Sequence, residues 1–262
     1  METKNFKLWD GEVPGQVEGW ETPSITYYPA DEKKGDGCIV ILAGGGYGSR
    51  SRHEDDGYAR YLSDKGVDCF VVHYRVKPYT FPYPLLDARR GMRFVRANAE
   101  KFGINPNKIA IMGSSAGGHL AALLSTYRGR LECEDDGLDT VDYLPNGQIL
   151  CYPVIEYQGH KGSFVNLLAD KLDELVDSVT PSFIADEKTP PAFIWHTFED
   201  TVVNVSNTFN YANKLKSLGV FTELHVYPYG PHGQGLAPNY PYLQNWADHL
   251  MSWLKLFGYI AE

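Results

Sequence analysis

The sequence lacks any apolar run that approaches the roughly 20 residues needed to cross a bilayer, so no transmembrane segment is expected. The opening stretch METKNFKLWDGEVPG has neither an apolar core nor a small-residue cleavage site, and no secretory signal is predicted. Positive charge is also scarce, because 24 Lys and Arg face 33 Asp and Glu and leave a net charge of −9. This balance argues against nucleic acid or a membrane surface as a partner.

Cysteine is sparse, and its spacing excludes a familiar metal or redox motif. Cys38, Cys69, Cys133 and Cys151 form no CxxC or CxxxC pair, so neither a zinc site nor a redox pair is expected. Three of the four lie in strand-like apolar runs, which is typical of buried thiols in a reducing compartment. We therefore expect a cytoplasmic protein without a bound metal.

Internal repeats, low-complexity tracts and linkers are absent, so residues 1–262 are predicted to form one domain. The 43% hydrophobic and 22% charged content is ordinary for a globular protein. Strand-like and helix-like patterns alternate, with strands at 38–44, 67–75, 108–113, 148–154, 192–197 and 222–228, and helices at 54–65, 85–103, 116–126, 205–218 and 240–257. The alternation predicts an α/β fold, a mostly parallel doubly wound sheet flanked by helices. The stretch SITYY at 24–28 is expected to add an antiparallel strand.

Residues 155–190 interrupt this alternation with polar, helical stretches such as NLLADKLDELVDSV. We interpret the segment as a small helical insertion over the carboxyl ends of the strands, where open parallel sheets bind ligands. A solvated surface excursion is the alternative interpretation.

The stretch IAIMGSSAGGHLAALL joins a strand-like run to a helical one through a G-x-S-x-G motif centred on Ser115. The central residue of such an elbow adopts a strained positive φ, and Gly113 and Gly117 on either side let strand and helix approach closely. Ser114 does not fit, because Met112 would then occupy a position that needs a small residue. The pattern predicts that Ser115 is a nucleophile.

A serine hydroxyl is a weak nucleophile unless a histidine, oriented by a carboxylate, accepts its proton. His232 lies in a Gly/Pro-rich loop after the last strand, and Asp200 lies just beyond the strand before it. Glu199 is the alternative carboxylate. His119, one helical turn after Ser115, is a candidate for supporting the site. We assign the other histidines to packing, turns or solvent: His53, His73, His160, His196, His225 and His249.

Acyl transfer also needs hydrogen-bond donors for the developing oxyanion. The glycine run in LAGGGYGSR follows the CIVIL strand, and we predict that the amides of Gly44, Gly45 and Ala116 form the oxyanion hole. A phosphate-binding loop is the alternative. The run lacks both the G-x-x-x-x-G-K-[ST] lysine and GxGxxG spacing, so no nucleotide cofactor is expected, nor any other cofactor.

Four segments together resemble the carbohydrate-acetylesterase and acetyl-xylan-esterase-like branch of the α/β-hydrolases. They are GGGYGSRSRHEDDGYARYLSDKGVDCFVVHYR, YPLLDARRGMRFVRANAEKFGINPNKIAIMGSSAGGHLAA, FIWHTFEDTVV and YPYGPHGQGLA. The resemblance extends from about residue 24 to 257 and implies the triad Ser115, Asp200 and His232. Ala43 departs from it, because relatives of the hormone-sensitive-lipase type carry the histidine of HGGG there. That difference concerns the subfamily and not the activity.

The resemblance implies a serine carboxylesterase that hydrolyses short-chain acyl esters, above all acetyl groups on sugars or xylo-oligosaccharides, through an acyl-enzyme on Ser115. The expected partner is thus a small-molecule ester substrate, an acetylated saccharide. Tyr47 beside the glycine loop and Tyr157 in the insertion are expected near the substrate. Homo-oligomerisation stays open.

Three rival functions share parts of this pattern. A prolyl-oligopeptidase-like peptidase has the same elbow and triad order, but 262 residues leave no room for its gating domain. A dienelactone hydrolase would carry cysteine in place of Ser115. A non-catalytic pseudo-hydrolase would lack a triad member or block the oxyanion loop, and the sequence shows neither defect.

Overall fold

The computed structural model describes residues 2–131 and 137–261, and within them one sheet of eight strands runs through the protein. The strands are β1 Lys4–Lys7, β2 Ser24–Tyr28, β3 Cys38–Leu42, β4 Asp68–His73, β5 Ile109–Ser114, β6 Gly147–Cys151, β7 Ala192–Thr197 and β8 Thr222–Tyr227. Their spatial order is β1-β2-β4-β3-β5-β6-β7-β8. Strands β3 to β8 pair in parallel, whereas β2 is antiparallel to both β1 and β4. The predicted α/β fold is confirmed.

Strand β1 was not predicted from the sequence. Its residues are largely exposed and show no alternation of apolar and polar side chains, so the local sequence does not indicate a strand. The strand forms because its backbone pairs with β2, in the register Lys4 with Tyr27 through Lys7 with Ser24. An exposed edge strand of this kind is specified by its neighbour rather than by its own side chains.

Helices pack on both faces of the sheet. They are α1 Asp56–Asp64, α2 Tyr83–Ala97, α3 Ala99–Phe102, α4 Ser115–Thr126, α5 Lys161–Leu168, α6 Leu172–Leu175, α7 Pro181–Ile184, α8 Ser206–Ser217 and α9 Pro241–Leu256. The single helix expected at 85–103 is two helices, because the backbone departs from helical geometry at Asn98. Gly103 ends α3 in the left-handed conformation, φ +63°, that glycine adopts without a side-chain penalty.

The core consists of two apolar layers, one on each face of the sheet. Alternate residues of β3 belong to different layers: Val40 lies in the layer that contains residues of α2, α4 and α8, whereas Ile39 lies in the layer that contains residues of α1 and α9. All five residues of β3 are buried, which explains its continuous apolar sequence. Among the described residues, no helix has the length and apolar content to span a membrane.

The stretch around 155–190 forms the short helices α5 to α7, linked by two 3-10 turns, between β6 and β7. Among the hydrogen bonds that attach it to the rest of the fold, three reach the glycine loop, α4 and the segment before α2. Asn166 Nδ2 donates to Gly46 O at 2.9 Å, and the Phe81 amide donates to Leu167 O at 2.7 Å. The third, 2.9 Å long, joins a ring nitrogen of His119 to Val179 O. The insertion thereby contacts the glycine loop that follows β3.

Candidate active site

Ser115, His232 and Asp200 come together at the carboxyl ends of the parallel strands. Ser115 is the first residue of α4, directly after β5, whereas Asp200 follows β7 and His232 follows β8. The Ser115 Oγ is 2.8 Å from His232 Nε2, and His232 Nδ1 is 2.6 Å from Asp200 Oδ2. A serine hydroxyl that donates to Nε2, and an Nδ1–H that donates to a carboxylate, form the relay that nucleophilic serine chemistry requires.

The Asp200 carboxylate is buried and receives further hydrogen bonds. Its Oδ1 accepts from the backbone amides of Val202 and Val203, both at 2.9 Å, and its Oδ2 accepts from His196 Nε2 at 3.2 Å. Burial alone would raise the pKa of Asp200, but the hydrogen bonds from His196 and His232 outweigh it and hold the pKa well below its usual range. Asp200 is therefore ionised at neutral pH and can fix the orientation of the His232 ring.

Glu199, the alternative carboxylate, points elsewhere. Its Oε1 accepts a hydrogen bond from the Gly230 amide at 2.8 Å, on the loop that leads to His232. It thus contacts the backbone of that loop and not the imidazole ring. The geometry favours Asp200 as the orienting carboxylate.

The elbow at Ser115 has the strain and the close packing that its sequence predicts. Ser115 has φ +53°, a conformation that residues with a side chain rarely adopt. A Cβ added to Gly113 would lie 2.1 Å from Gly117 O, and one added to Gly117 would lie 2.2 Å from Leu42 O. Any larger residue at either position would separate strand from helix, so these two glycines allow the tight turn that carries the serine.

The predicted oxyanion hole needs one correction. Gly44 lies against the nucleophile, since a Cβ added to it would be 3.1 Å from Ser115 Cβ. Its amide, however, donates to Glu54 Oε2 at 2.9 Å and is not available to a substrate oxygen. Within the described part of the chain, the amides of Gly45 and Gly46 have no hydrogen-bond partner. The Ala116 amide lies in the first turn of α4, where backbone N–H groups lack intrahelical partners.

The two tyrosines expected near the substrate differ in their surroundings. Tyr47, with φ +59°, turns its ring into the core, where 1% of it is exposed and its hydroxyl bonds His119 Nδ1 at 2.7 Å. This corrects the expectation for Tyr47, because a side chain enclosed in the core cannot touch a substrate. Tyr157 is half-buried, and its ring centroid lies 5.8 Å from that of Phe164 on α5.

His119 supports the site from within the core. Its Nε2–H donates to Val179 O, and its Nδ1 accepts from the Tyr47 hydroxyl. Burial lowers the pKa of His119 to about 4, only partly opposed by the hydrogen bond to Val179, so the ring is neutral near pH 7. A neutral imidazole with one donor and one acceptor nitrogen satisfies both partners and joins α4, the glycine loop and the insertion.

Sequence reasoning missed three residues that contact this machinery. His196, assigned to a turn, binds Asp200 directly. Tyr152, with φ +38°, places its ring edge-on to His232 with centroids 5.1 Å apart. Glu54 is buried and bonds both Gly44 and Tyr152. Of these three residues, only His196 could have been recognised from the sequence, because it lies four residues before Asp200 at the end of a predicted strand.

A mostly parallel sheet with a serine elbow after β5, an acid after β7 and a histidine after β8 defines an α/β-hydrolase. The profile of the BD-FAE family matches residues 26–215. The chain belongs to the BD-FAE family.

Individual relatives agree with this assignment. The chain is 38% identical to the acetyl ester-xyloside bifunctional hydrolase of Caldicellulosiruptor lactoaceticus, with a TM-score of 0.92 over 98% of this chain and 97% of that one. It is 34% identical to an acetylxylan esterase of Xylanibacter ruminicola and 33% identical to endo-1,4-beta-xylanase B of Butyrivibrio fibrisolvens, over 83% and 85% of this chain. It spans 45% and 36% of the length of those two curated relatives. The resemblance seen in the sequence is confirmed.

Proposed function

We propose that the protein is a serine carboxylesterase that removes acetyl and other short acyl groups from sugars or xylo-oligosaccharides. The observation that carries this proposal is the hydrogen-bonded chain from Ser115 Oγ through His232 to Asp200 Oδ2. The acetylxylan esterase and the acetyl ester-xyloside hydrolase among its relatives support the acetylated saccharide as substrate.

In the proposed mechanism, Ser115 Oγ attacks the ester carbonyl while His232 Nε2 accepts the serine proton. The resulting oxyanion is bound by the backbone amides of Ala116 and Gly45. Asp200 holds Nδ1–H and stabilises the imidazolium that forms. The imidazolium then protonates the departing sugar oxygen, which leaves an acetyl-enzyme on Ser115.

Water then hydrolyses the acetyl-enzyme with the help of the same catalytic groups. His232, neutral again, accepts a proton from the water as its oxygen attacks the acetyl carbonyl. The same amides bind the second oxyanion, and His232 returns the proton to Ser115 Oγ as acetate leaves. Each oxyanion donor is worth about 3 kcal/mol of transition-state stabilisation, so the correct pair of amides matters as much as the triad.

We further propose a cytoplasmic setting, where the enzyme meets small acetylated saccharides rather than a polymer. Cys38, Cys69 and Cys151 are free and buried, which supports a reducing compartment. Cys133 lies outside the described residues. Tyr157 stays our candidate for a substrate contact, because it follows β6 near the start of the insertion.

A substrate screen tests the proposed function. Acetylated xylo-oligosaccharides, p-nitrophenyl acetate, p-nitrophenyl β-xyloside and an aminoacyl p-nitroanilide would be compared by kcat/KM. The proposal expects the two acetyl esters to be hydrolysed fastest. If the anilide had the highest kcat/KM, the protein would be a peptidase. If the xyloside had the highest kcat/KM, it would be a glycosidase. Inactivity on all four substrates would contradict the proposal and favour a non-catalytic pseudo-hydrolase.

A further inference from the structure

The side chain of Glu54 is buried between the catalytic loops, and the mechanism above does not use it. Glu54 lies just before α1 and is 2% exposed. Its Oε2 accepts from the Gly44 amide at 2.9 Å, and its Oε1 accepts from the Tyr152 hydroxyl at 2.7 Å. A buried carboxylate costs free energy unless it is fully hydrogen-bonded, so its presence here needs an explanation.

On one side, Glu54 fixes the glycine loop. Its bond to the Gly44 amide sets the peptide plane that precedes Gly45 and Gly46, the two residues whose amides have no partner within the described chain. Gly45 has φ +128°, and its carbonyl accepts from the amides of Gly48 and Ser49, which closes a tight turn. The direction in which the free amides point thus depends on the contact between Glu54 and Gly44.

On the other side, Glu54 fixes the loop that carries His232. The Tyr152 hydroxyl, which donates to Glu54, accepts from the Gly235 amide at 3.0 Å. The ring of Tyr152 meets the His232 ring edge-on, with an interplanar angle of 71°. His53, next to Glu54, bonds Gly233 O through Nε2 at 2.8 Å.

We propose that Glu54 is a positioning residue that links the oxyanion loop to the His232 loop through its two carboxylate oxygens. The inference rests on the proposed function, because it concerns the groups that stabilise the oxyanion and transfer the proton. Glu54 touches no reacting atom. It acts by keeping two loops from different ends of the sequence in one relative geometry, within the small tolerance that catalysis allows.

Two hydrogen-bond donors face the two oxygens of Glu54. Burial raises the pKa of Glu54, and the hydrogen bonds from Tyr152 and Gly44, together with the nearby His53 and His232, oppose only part of that rise. A carboxylate can accept both hydrogen bonds at once. A glutamine has the same shape but only one acceptor oxygen. If that oxygen keeps the Gly44 amide, its NH2 group faces Tyr152, whose hydroxyl must then accept instead of donate and lose its present orientation.

The test compares Glu54→Gln with Asp56→Asn, a carboxylate-to-amide change two residues away. Asp56 bonds Arg60 and Tyr28 at the surface and lies outside the site. With p-nitrophenyl acetate, we expect Glu54→Gln to lower kcat about 30-fold, somewhat less than the loss of a whole oxyanion donor, with KM within about threefold. Asp56→Asn should stay within about twofold of wild type.

A second readout separates positioning from a loss of folded protein. Ethylboronic acid forms a B–O bond with Ser115 Oγ as the serine proton passes to His232, which gives a tetrahedral adduct that resembles the transition state. Its inhibition constant should rise in Glu54→Gln by about the same factor as kcat falls. A KM increase alone, or a boronate affinity equal to wild type, would overturn the inference.

Tyr152→Phe provides the test if Glu54→Gln does not fold. It removes only the hydroxyl and should lower kcat about tenfold at unchanged KM; kcat equal to wild type would contradict the proposal. Where both variants fold, the fold-decrease in kcat of the double variant should be smaller than the product of the two single fold-decreases. Both substitutions disrupt the same hydrogen bond between Glu54 and Tyr152, so their effects are not independent. An active wild type with an unaffected Glu54→Gln would refute only this inference, whereas an inactive wild type would refute the proposed function.

Discussion

His196 lies 3.2 Å from Asp200, and its Nε2 points at the same carboxylate oxygen that binds the catalytic imidazole. Nε2 is also 3.0 Å from Val203 O, and because both neighbours are acceptors, this nitrogen carries the proton. Its Nδ1 then accepts from Thr208 Oγ1 at 2.8 Å. His196 is completely buried, so it holds the acid of the triad in place from inside the sheet.

Two amide substitutions at His196 test this support. Glutamine places an amide N–H near the former Nε2, whereas asparagine reaches only as far as Nδ1. We expect His196→Asn to lower kcat about tenfold, the effect of one hydrogen bond to a charged group, and His196→Gln to recover part of it. Steady-state kinetics on p-nitrophenyl acetate would show this, and equal activity of both variants and wild type would contradict it.

The choice of carboxylate is tested by Asp200→Asn and Glu199→Gln. Asp200→Asn should reduce kcat by about 10⁴, because the imidazole would no longer be held in the required tautomer. Glu199→Gln keeps an oxygen for the Gly230 amide and should remain within about tenfold of wild type. The reverse ranking in kcat/KM would assign the role to Glu199.

The buried His119 predicts a pH dependence of stability. Its pKa is about 4 in the folded protein, below the 6.5 of an exposed histidine. As pH falls below 6.5, the unfolded chain binds a proton that the folded protein refuses until about pH 4, so the folded state loses stability in this window. The loss amounts to about 3 kcal/mol between pH 7 and pH 4.

His119→Gln removes this titration and serves as the comparison. Urea unfolding of wild type and variant at pH 7, 5.5 and 4.5 should show the wild type losing stability more steeply as the pH falls. Parallel pH profiles for the two proteins would mean that His119 does not carry the predicted shift.

The position of the insertion at 155–190 predicts a preference for short acyl chains. Asn166 of α5 bonds Gly46 in the glycine loop, and His119 of α4 bonds Val179 near the end of the insertion, so the insertion is fastened next to Ser115. One methylene in a fitted pocket changes discrimination by about 1–3 kcal/mol. Acetyl and propionyl p-nitrophenyl esters should therefore exceed the octanoyl ester in kcat/KM. A maximum at eight carbons or more would favour a lipase-like enzyme.

The parts of the fold that the sequence predicts are those with strong local signals. Strand β3 is continuously apolar, and β5 is apolar from Ile109 to Met112. The elbow at Ser115 requires small residues on both sides, so each of these features is recognisable from the chain alone. His232 and Asp200 follow because both lie directly after strands. Strand β1 escaped prediction because pairing, and not composition, specifies it.

The contacts that escaped prediction are long-range. Glu54 and Tyr152 are 98 positions apart, and nothing in the local sequence of either indicates a shared hydrogen bond. The sequence also predicts the Gly44 amide as an oxyanion donor. The hydrogen bond from this amide to Glu54 could not be foreseen, because it depends on how the loop before α1 folds back. Tyr47 lies next to the glycines in sequence, but its backbone turns the ring inward. Its closeness to the glycines in sequence therefore does not bring its side chain to the substrate.

Release of acetate from acetylated xylo-oligosaccharides by wild type, Ser115→Ala and Ser114→Ala tests the central claim most directly. Ser114 is the matched control, an adjacent buried serine whose Oγ bonds Tyr58 instead of His232. We expect wild type to release acetate, Ser115→Ala to be slower by about 10⁴ or more, and Ser114→Ala to lose no more than about tenfold. Similar rates for the two variants, or no acetate from the wild type, would contradict an acetylesterase that works through Ser115.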